Sequence, residues 1–356
     1  MTGSATEGMV GGGYYDANSA FQRQVAASGD DLLAAAVAAL AVPQGAPVTV
    51  ADYGCSEGRN SMAIVGRALG LLAARGAVDM AVLHNDLPTN DWVQLAANLG
   101  GAGSYLETFP ATRALFAPRA FFERVTLPAS VTLGTSGSAA HWLSRQPPGL
   151  DMPRSLYRSD APPEQREKLL AQAASDWQAF LAARAEELQP GGVLLVQMLG
   201  SDGAVTPERV SAAGLMHLMN LCILDMVDGG EIPVEVYAHY AFPVVPRTIA
   251  EATAPVIGPL ADRLELLHCG LTPVPSPYQV ALEKTGDVST FAKDYAAFTR
   301  AFSESSLREG VLRFAKSGAD AAADRLYAGM RDALAAKPEA YPFDDLTLAL
   351  VVRRRS

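Results

Sequence analysis

Cysteine is nearly absent from this chain: its 356 residues include only Cys55, Cys222 and Cys269, far apart and in no Cys-x-x-Cys pairing. So small and scattered an odd set argues against a disulfide framework or a thiolate zinc site, and it fits a reducing compartment. Positive charge is also scarce. Lys and Arg number 28 against 38 Asp and Glu, a formal net charge of −10. No Lys/Arg-rich run precedes Arg353-Arg354-Arg355, so the chain is not built to wrap a phosphate backbone and no nucleic-acid partner is expected. The N-terminus lacks a basic segment followed by an apolar one, so no secretory signal is read. Residues 32–51 carry no charge, but Pro43, Gly45 and Pro47 interrupt them. They read as helix, turn and strand rather than as a membrane span. The expectation is a soluble cytoplasmic protein with no membrane partner. His84, His217, His239 and His268 show no metal-like spacing, and no metal is expected.

What is present is an apolar chain, 49% hydrophobic and 19% charged, enough for a sizeable core. Asp30-Asp31 followed by LLAAAVAAL predicts a helix ending near Ala41. PVTVADYG (47–54), AVDMAVLHND (77–86), SVTLGTSG (130–137) and VLLVQMLG (193–200) read as buried strands that end in small or polar residues. Helices are predicted after Gly58 to Gly76 and over 163–188, the second stopped by Pro190-Gly191-Gly192. This alternation predicts an α/β fold with a doubly wound, mostly parallel sheet, in which ligands sit beyond the carboxyl ends of the strands. Beyond residue 205 the pattern becomes mainly helical (214–227, 291–315, 317–336), with a strand candidate at 263–274. LTLALVV (346–352) reads as a last strand, an antiparallel edge partner. The expected division is a core over 1–205, a helical cap over 206–340 with strand segments returning to the sheet, and a closing core strand over 341–356.

ADYGCSEGRN (51–60) joins the first strand to its helix. Gly54 and Gly58 remove side chains where backbone must approach a ligand, and Asp52 stands at the strand end. Gly54, Ser56 and Gly58 have the Gly-x-Ser-x-Gly spacing of a hydrolase elbow, with Ser56 as nucleophile, although that elbow usually lies deeper in a sheet. A dinucleotide loop fits neither the glycine spacing nor the distance to an acid. Asp86, in HNDLP, ends the next strand, where a carboxylate can accept both hydroxyls of a ribose; alone it reads equally as a turn acid before Pro88.

YYDANSAFQ (14–22) packs aromatics, an acid and amides into one segment after Gly11-Gly12-Gly13. It resembles SYAxNSxxQ, the N-terminal lid signature of the plant-type SABATH carboxyl methyltransferases. ADYGCSEGRN is similar to that family's ADLGCSxGPN, HNDLPTNDW to NDLPxNDF, GSYLETFP (103–110) to GSFYxRLFP, SGSAAHWLS (136–144) to SSYSLHWLS, and PGGVLLVQMLG (190–200) to GGRMVLTxxG. The matches run in the family's order from residue 14 to about 250, and together they identify the chain as a member.

The resemblance implies a class I methyltransferase (Rossmann-like) sheet with a helical cap, S-adenosylmethionine as cofactor, a small-molecule carboxylic acid as substrate and a homodimer. By the same resemblance Tyr15, Ser19, Asp52, Gly54 and Asn60 would line the methionine pocket, and Asp86 and Leu87 would hold the ribose. Ser104 and Tyr105 would meet the adenine. Gln22 and Trp142 would bind the substrate carboxylate, and His141 would neighbour the substrate. Ser138, Met216 and Met219 are assigned to the substrate pocket. Met216 and Met219 read equally as helix packing, and Trp142 as ordinary core. The chain departs from the pattern at Tyr14, Asp16, Arg59 and Ser138. Serine in place of a ring at 138 suggests a roomier or differently shaped acid site. A carboxylic acid with a pKa near that of Glu, about 4.3, is already ionised at neutral pH, so no general base is required. The implied activity is transfer of a methyl group to that carboxylate. N-methylation of a small heterocycle and a non-catalytic or otherwise altered cofactor-binding protein are the alternatives.

Overall fold

The computed structural model describes residues 8–40, 45–203, 209–343 and 345–356. The expected end of the first long helix at Ala41 and the division at 205 lie outside the described residues. The sheet comprises β1 (Val48–Tyr53), β2 (Met80–Asp86), β3 (Arg113–Pro118), β4 (Val131–Gly137), β5 (Leu188–Leu199), β6 (Leu264–Val274) and β7 (Asp345–Arg354). Its order is β3-β2-β1-β4-β5-β7-β6. The first five strands pair in parallel, and β7 runs antiparallel between β5 and β6. The mostly parallel, doubly wound sheet is as the sequence predicts.

Three details differ. β3 was not expected; it is an edge strand paired only with β2, and its RALFAP sequence is largely exposed, so no apolar run marks it. β7 is antiparallel as expected but sits one place inside the edge, which β6 occupies. Pro190-Gly191-Gly192 does not separate helix from strand. β5 already pairs at Leu188, and the Pro-Gly-Gly segment forms an irregularity between the Val131–Leu188 and Leu133–Val193 pairs.

The helices are α1 (Tyr14–Asn18), α2 (Ala20–Ser28), α3 (Asp30–Ala38), α4 (Arg59–Ala74), α5 (Trp92–Leu99), α6 (Tyr105–Thr108), α7 (Pro163–Glu187), α8 (Ala213–Asp228), α9 (Val234–Ala238), α10 (Ile249–Ile257), α11 (Pro277–Thr285), α12 (Val288–Gly310) and α13 (Ala319–Ala336). Side chains alternate across each strand, which assigns them to opposite layers. Val48 and Val50 of β1 pack with Leu33, Val65 and Leu69 from α3 and α4. Ala51 and Tyr53 pack with Trp177, Phe180 and Val256 from α7 and α10. Trp177 also donates its indole N–H to the Ala252 carbonyl at 2.9 Å, so its one polar atom is satisfied in the core. A third apolar cluster joins α8, α12 and α13 to Tyr15, Phe21 and Val25 of the N-terminal helices and to Trp142. The cap and the N-terminal segment therefore share one core, which closes over the carboxyl end of the sheet.

Candidate active site

Loops at the carboxyl ends of β1 to β4 build the site, where the parallel strand order reverses between β1 and β4. Gly54 has φ +89°, and a Cβ there would lie 2.3 Å from that of Ala139. Only glycine lets the β1 and β4 loops approach so closely. Ser56 (φ +49°) and Ser138 (φ +55°) take left-handed backbone without being glycine, a cost of about 1–3 kcal/mol each that tends to collect at functional sites.

Three connected cavities lie here. The largest, about 510 Å³, runs along Gly54, Ser56, Asp86, Leu87 and Asn90, then past Ala120, Phe121 and Phe122 to Trp142. A small polar lobe of about 30 Å³ is lined by Asp16, Asp52, Asn60 and Ser61. An apolar lobe of about 50 Å³ is lined by Phe21, His141, Met216, Phe298, Phe302 and Phe343. Tyr15 and Ser138 border all three, and Gln22 borders both small lobes. Trp142 stands between the large cavity and the apolar lobe.

Asp86 Oδ2 accepts the Ser56 N–H at 2.7 Å, and Oδ1 accepts the Leu87 N–H at 2.8 Å. A carboxylate has about four lone-pair positions, so two remain for hydroxyl donors. Burial pushes this carboxyl up to about 6, against the two N–H bonds that favour the anion. Gln22 Oε1 is buried without a hydrogen-bond partner at the lobe wall, whereas Asp52 Oδ2 faces the buried His84 Nδ1 at 3.9 Å. Buried polar groups are normally paired, so the Gln22 oxygen marks a place for a ligand's donor. Asn60 donates to the Ser19 hydroxyl at 2.8 Å. Ser19 itself lines no cavity; it holds Asn60.

The Leu199 N–H donates to His141 Nδ1 at 3.1 Å. That bond puts the ring proton on Nε2, and burial near Arg247 lowers the imidazole to about 3, so His141 is a neutral donor at ordinary pH. The apolar lobe thus offers neutral groups only, from Gln22, Trp142, His141, Tyr15 and Ser138, and no Lys, Arg, Asp or Glu lines it. Its shape is set by the rings of Phe298 and Phe302 of α12 and of Phe343, which line it together with Ser138.

Ser104 and Tyr105 line none of these cavities. The Ser104 hydroxyl caps α6 through the Leu106 N–H at 3.1 Å, and Tyr105 is buried with its OH 3.0 Å from His84 Nε2. In place of this pair, Ala120, Phe121 and Phe122 after β3 border the large cavity. The sequence carried that signal, because RAFFER (119–124) has the ring pair and trailing Arg of GSFYxR, whereas GSYLET has one ring and no Arg. Arg184, in the FLAARAEEL helix, fixes this loop with bonds to the Phe121 and Glu123 carbonyls at 2.8 Å each. Met219 is also outside the cavities and fully buried in the cap core. Ser56 Oγ is buried and hydrogen-bonded to no base, and the neighbouring Asp86 carboxylate is taken up by the Ser56 and Leu87 N–H groups, so the arrangement of a hydrolase elbow is not formed. Donor atoms of Asp52, Cys55 and His84 lie within 4.8 Å of one another beneath the polar lobe. Burial and the neighbouring Asp86 and Asp52 charges push the Cys55 thiol well up. Among the described residues no helix is long and apolar enough to cross a membrane.

The family described as SAM dependent carboxyl methyltransferase matches residues 5–348. The chain belongs to that family.

Among relatives of this family member, the O-methyltransferase acrG of Aspergillus aculeatus is 31% identical over 256 residues, covering 68% of this chain and 65% of acrG. Caffeine synthase 3 of Camellia sinensis is 27% identical over 236 residues, 61% of this chain and 64% of the relative. The match thus spans just under two thirds of the length of these curated relatives. A solved loganic acid methyltransferase with SAH superposes with a TM-score of 0.80 at 22% identity, over 98% of this chain and 99% of that one. That likeness shows that the two chains share a fold over nearly their whole lengths.

Proposed function

We propose that the protein methylates the carboxylate of a small acid with an apolar body, using S-adenosylmethionine. The observation that carries the reading is the junction at Gln22, Tyr15, Ser138 and Trp142. There a polar cavity able to hold a nucleoside meets an apolar lobe that offers only neutral donors. When bound, the cofactor supplies an electrophilic methyl on a sulfonium; the carboxylate oxygen bonds to that carbon as the C–S bond breaks, leaving a methyl ester and a neutral thioether.

The residues then divide the work. Asp86 and Leu87 hold the ribose, and Ala120 to Phe122 take the adenine, in place of Ser104 and Tyr105. Asp52 and Asn60 grip the methionine end under Tyr15, and Ser19 fixes Asn60. Gln22 and Trp142 orient the carboxylate, while His141, Ser138 and Met216 surround its body. Neutral donors suit this chemistry because a buried cation would pair with the carboxylate and blunt its attack. Good orientation alone is worth roughly 7–11 kcal/mol in intramolecular models. The methyl is transferred without moving a proton, which fits the neutral, non-titrating His141. The lobe's size and lack of charge favour compact apolar monoacids over diacids and sugar acids. The core, cap and closing-strand division and a homodimer belong to the same reading.

A panel of aromatic, indolic, terpenoid and fatty monoacids with labelled cofactor is expected to yield base-labile methyl esters; failure of every acid while the cofactor binds would overturn the proposal. The caffeine synthase relatives motivate N-methylation as a second reading. Competition between an acid and a xanthine separates the two.

A further inference from the structure

Glu57 lies in the loop after β1 and is 1% exposed, yet it faces neither the large cavity nor the lobes. Its carboxylate is turned outward onto the N-terminal segment. Oε1 accepts the Gly13 N–H at 2.6 Å, and Oε2 accepts the Asp16 N–H at 3.1 Å. Asp91 Oδ2 accepts the neighbouring Gly12 N–H at 2.9 Å. Asn98 of α5 closes the arrangement, donating to Asp16 Oδ2 at 2.5 Å and to the Glu57 carbonyl at 2.8 Å. Arg59 Nε lies 3.8 Å from Asp16 Oδ2. Asp16 and Arg59 are two of the positions at which the chain leaves its family's pattern, and here they belong to one network.

Tyr15 lies between the two Glu57 contacts in sequence and borders every cavity; Gln22 follows on the next helix. On the other side, Glu57 adjoins Ser56, whose N–H is held by Asp86. One side chain therefore ties the segment that roofs the site to the loop that meets the cofactor. We infer that Glu57 is a positioning residue: its two backbone contacts hold residues 12–16 closed, so that Tyr15 and Gln22 stand over the joined cavities. The kinetic part of this inference rests on the carboxyl-methylating reading above.

The latch is poised for release as well as closure. Burial raises both the Glu57 and Asp16 carboxyls, and each accepts N–H bonds that favour its anion. The charged groups facing Glu57 and Asp16 are Asp91 before α5, Arg59 on α4 and Arg23 on α2, with Tyr15 beside them. Only the two arginines oppose the accumulated negative charge, and the Arg59 side chain is 60% exposed. The closed arrangement is therefore held more by directed hydrogen bonds than by charge balance.

The test uses the full chain, with and without S-adenosylhomocysteine, and compares Glu57→Gln and Glu57→Asp with the parent. Glu57→Gln keeps the shape but replaces one acceptor with a donor. Glu57→Asp keeps the charge but shortens the reach. In both, amide hydrogen exchange over residues 12–18 is expected to accelerate at least tenfold, with exchange in β1 and β2 unchanged. With a methylated acid in hand, KM for the acid is expected to rise and kcat to fall, together at least tenfold in kcat/KM. Affinity for S-adenosylhomocysteine is expected to stay within about threefold. Unchanged exchange over 12–18, acceleration throughout the sheet, full protection in Glu57→Asp, or a loss confined to cofactor affinity would each overturn the inference. Failure of the function proposal is read separately, as absence of ester from the parent chain.

Discussion

Truncating Gln22 to alanine isolates the substrate end of the site. The Gln22 carboxamide borders both the polar and the apolar lobe, and its Oε1 is buried with no partner, so no intramolecular bond of that oxygen is lost on truncation. Stability should therefore change by about 1 kcal/mol or less. A hydrogen bond to a charged group contributes about 1.5–3 kcal/mol, so kcat/KM for the acid should fall about 10–150-fold at 1.4 kcal/mol per tenfold. The split between parameters follows from the reaction's charge. The carboxylate loses its negative charge as the new bond forms, so a donor to it is stronger in the ground state than in the transition state. The loss should then appear first as a raised KM, with a smaller fall in kcat from poorer alignment. Ester formation is followed by mass spectrometry, and S-adenosylhomocysteine binding by calorimetry; its dissociation constant should move less than about threefold. A fall in kcat/KM below threefold, or an equal loss of cofactor affinity, would refute this assignment of Gln22.

Trp142→Phe keeps a ring to pack 5.5 Å from Phe242 but removes the indole N–H; kcat/KM should drop roughly tenfold with little change in Tm, checked by the same ester assay and a thermal melt. Asp86 must be ionised to accept two hydroxyls beyond its two backbone donors, and its carboxyl stands at about 6. Cofactor affinity should therefore be full above that pH and fall toward about tenfold per unit well below it, while Asp86→Asn should bind weakly at pH 8 with a flat profile by calorimetry. Because His141 stays neutral down to about 3, kcat with the cofactor saturating should show no histidine inflection between pH 5 and 8. Arg184→Met leaves the fully buried Glu187 without its cation, with only the Tyr53 hydroxyl and the Val125 and Thr126 N–H groups still bonded to it, and removes the two bonds to the Phe121 loop. It should cost about 3–5 kcal/mol in denaturant unfolding and also weaken S-adenosylhomocysteine binding.

Much of the lining of the large cavity was legible in the chain because its signals are local. A strand followed by Gly54-x-Ser56-x-Gly58, and another ending in Asp86, mark sites by backbone freedom and by strand ends, which neighbouring residues set. The place of Ala120 to Phe122 on the large cavity was not legible, for the opposite reason. β3 is an edge strand with no apolar run, so nothing local marks the loop that follows it. Met216 and Met219 sit three apart on α8, yet only Met216 reaches the lobe, a difference of helix rotation that spacing does not reveal.

By itself the sequence determined the doubly wound α/β core, the order of the family's motifs and the residue types that the strand ends present to the cavities. Alternation along strands and glycine at tight turns act over a few residues, so they survive without coordinates. Only the tertiary structure decided that rings from α12 and Phe343 close the acid lobe, that His141 is a neutral donor, and that Glu57 reaches out to the Gly13 and Asp16 amides. Each of these joins residues far apart in the chain, and packing of the cap against the sheet alone brings them within contact.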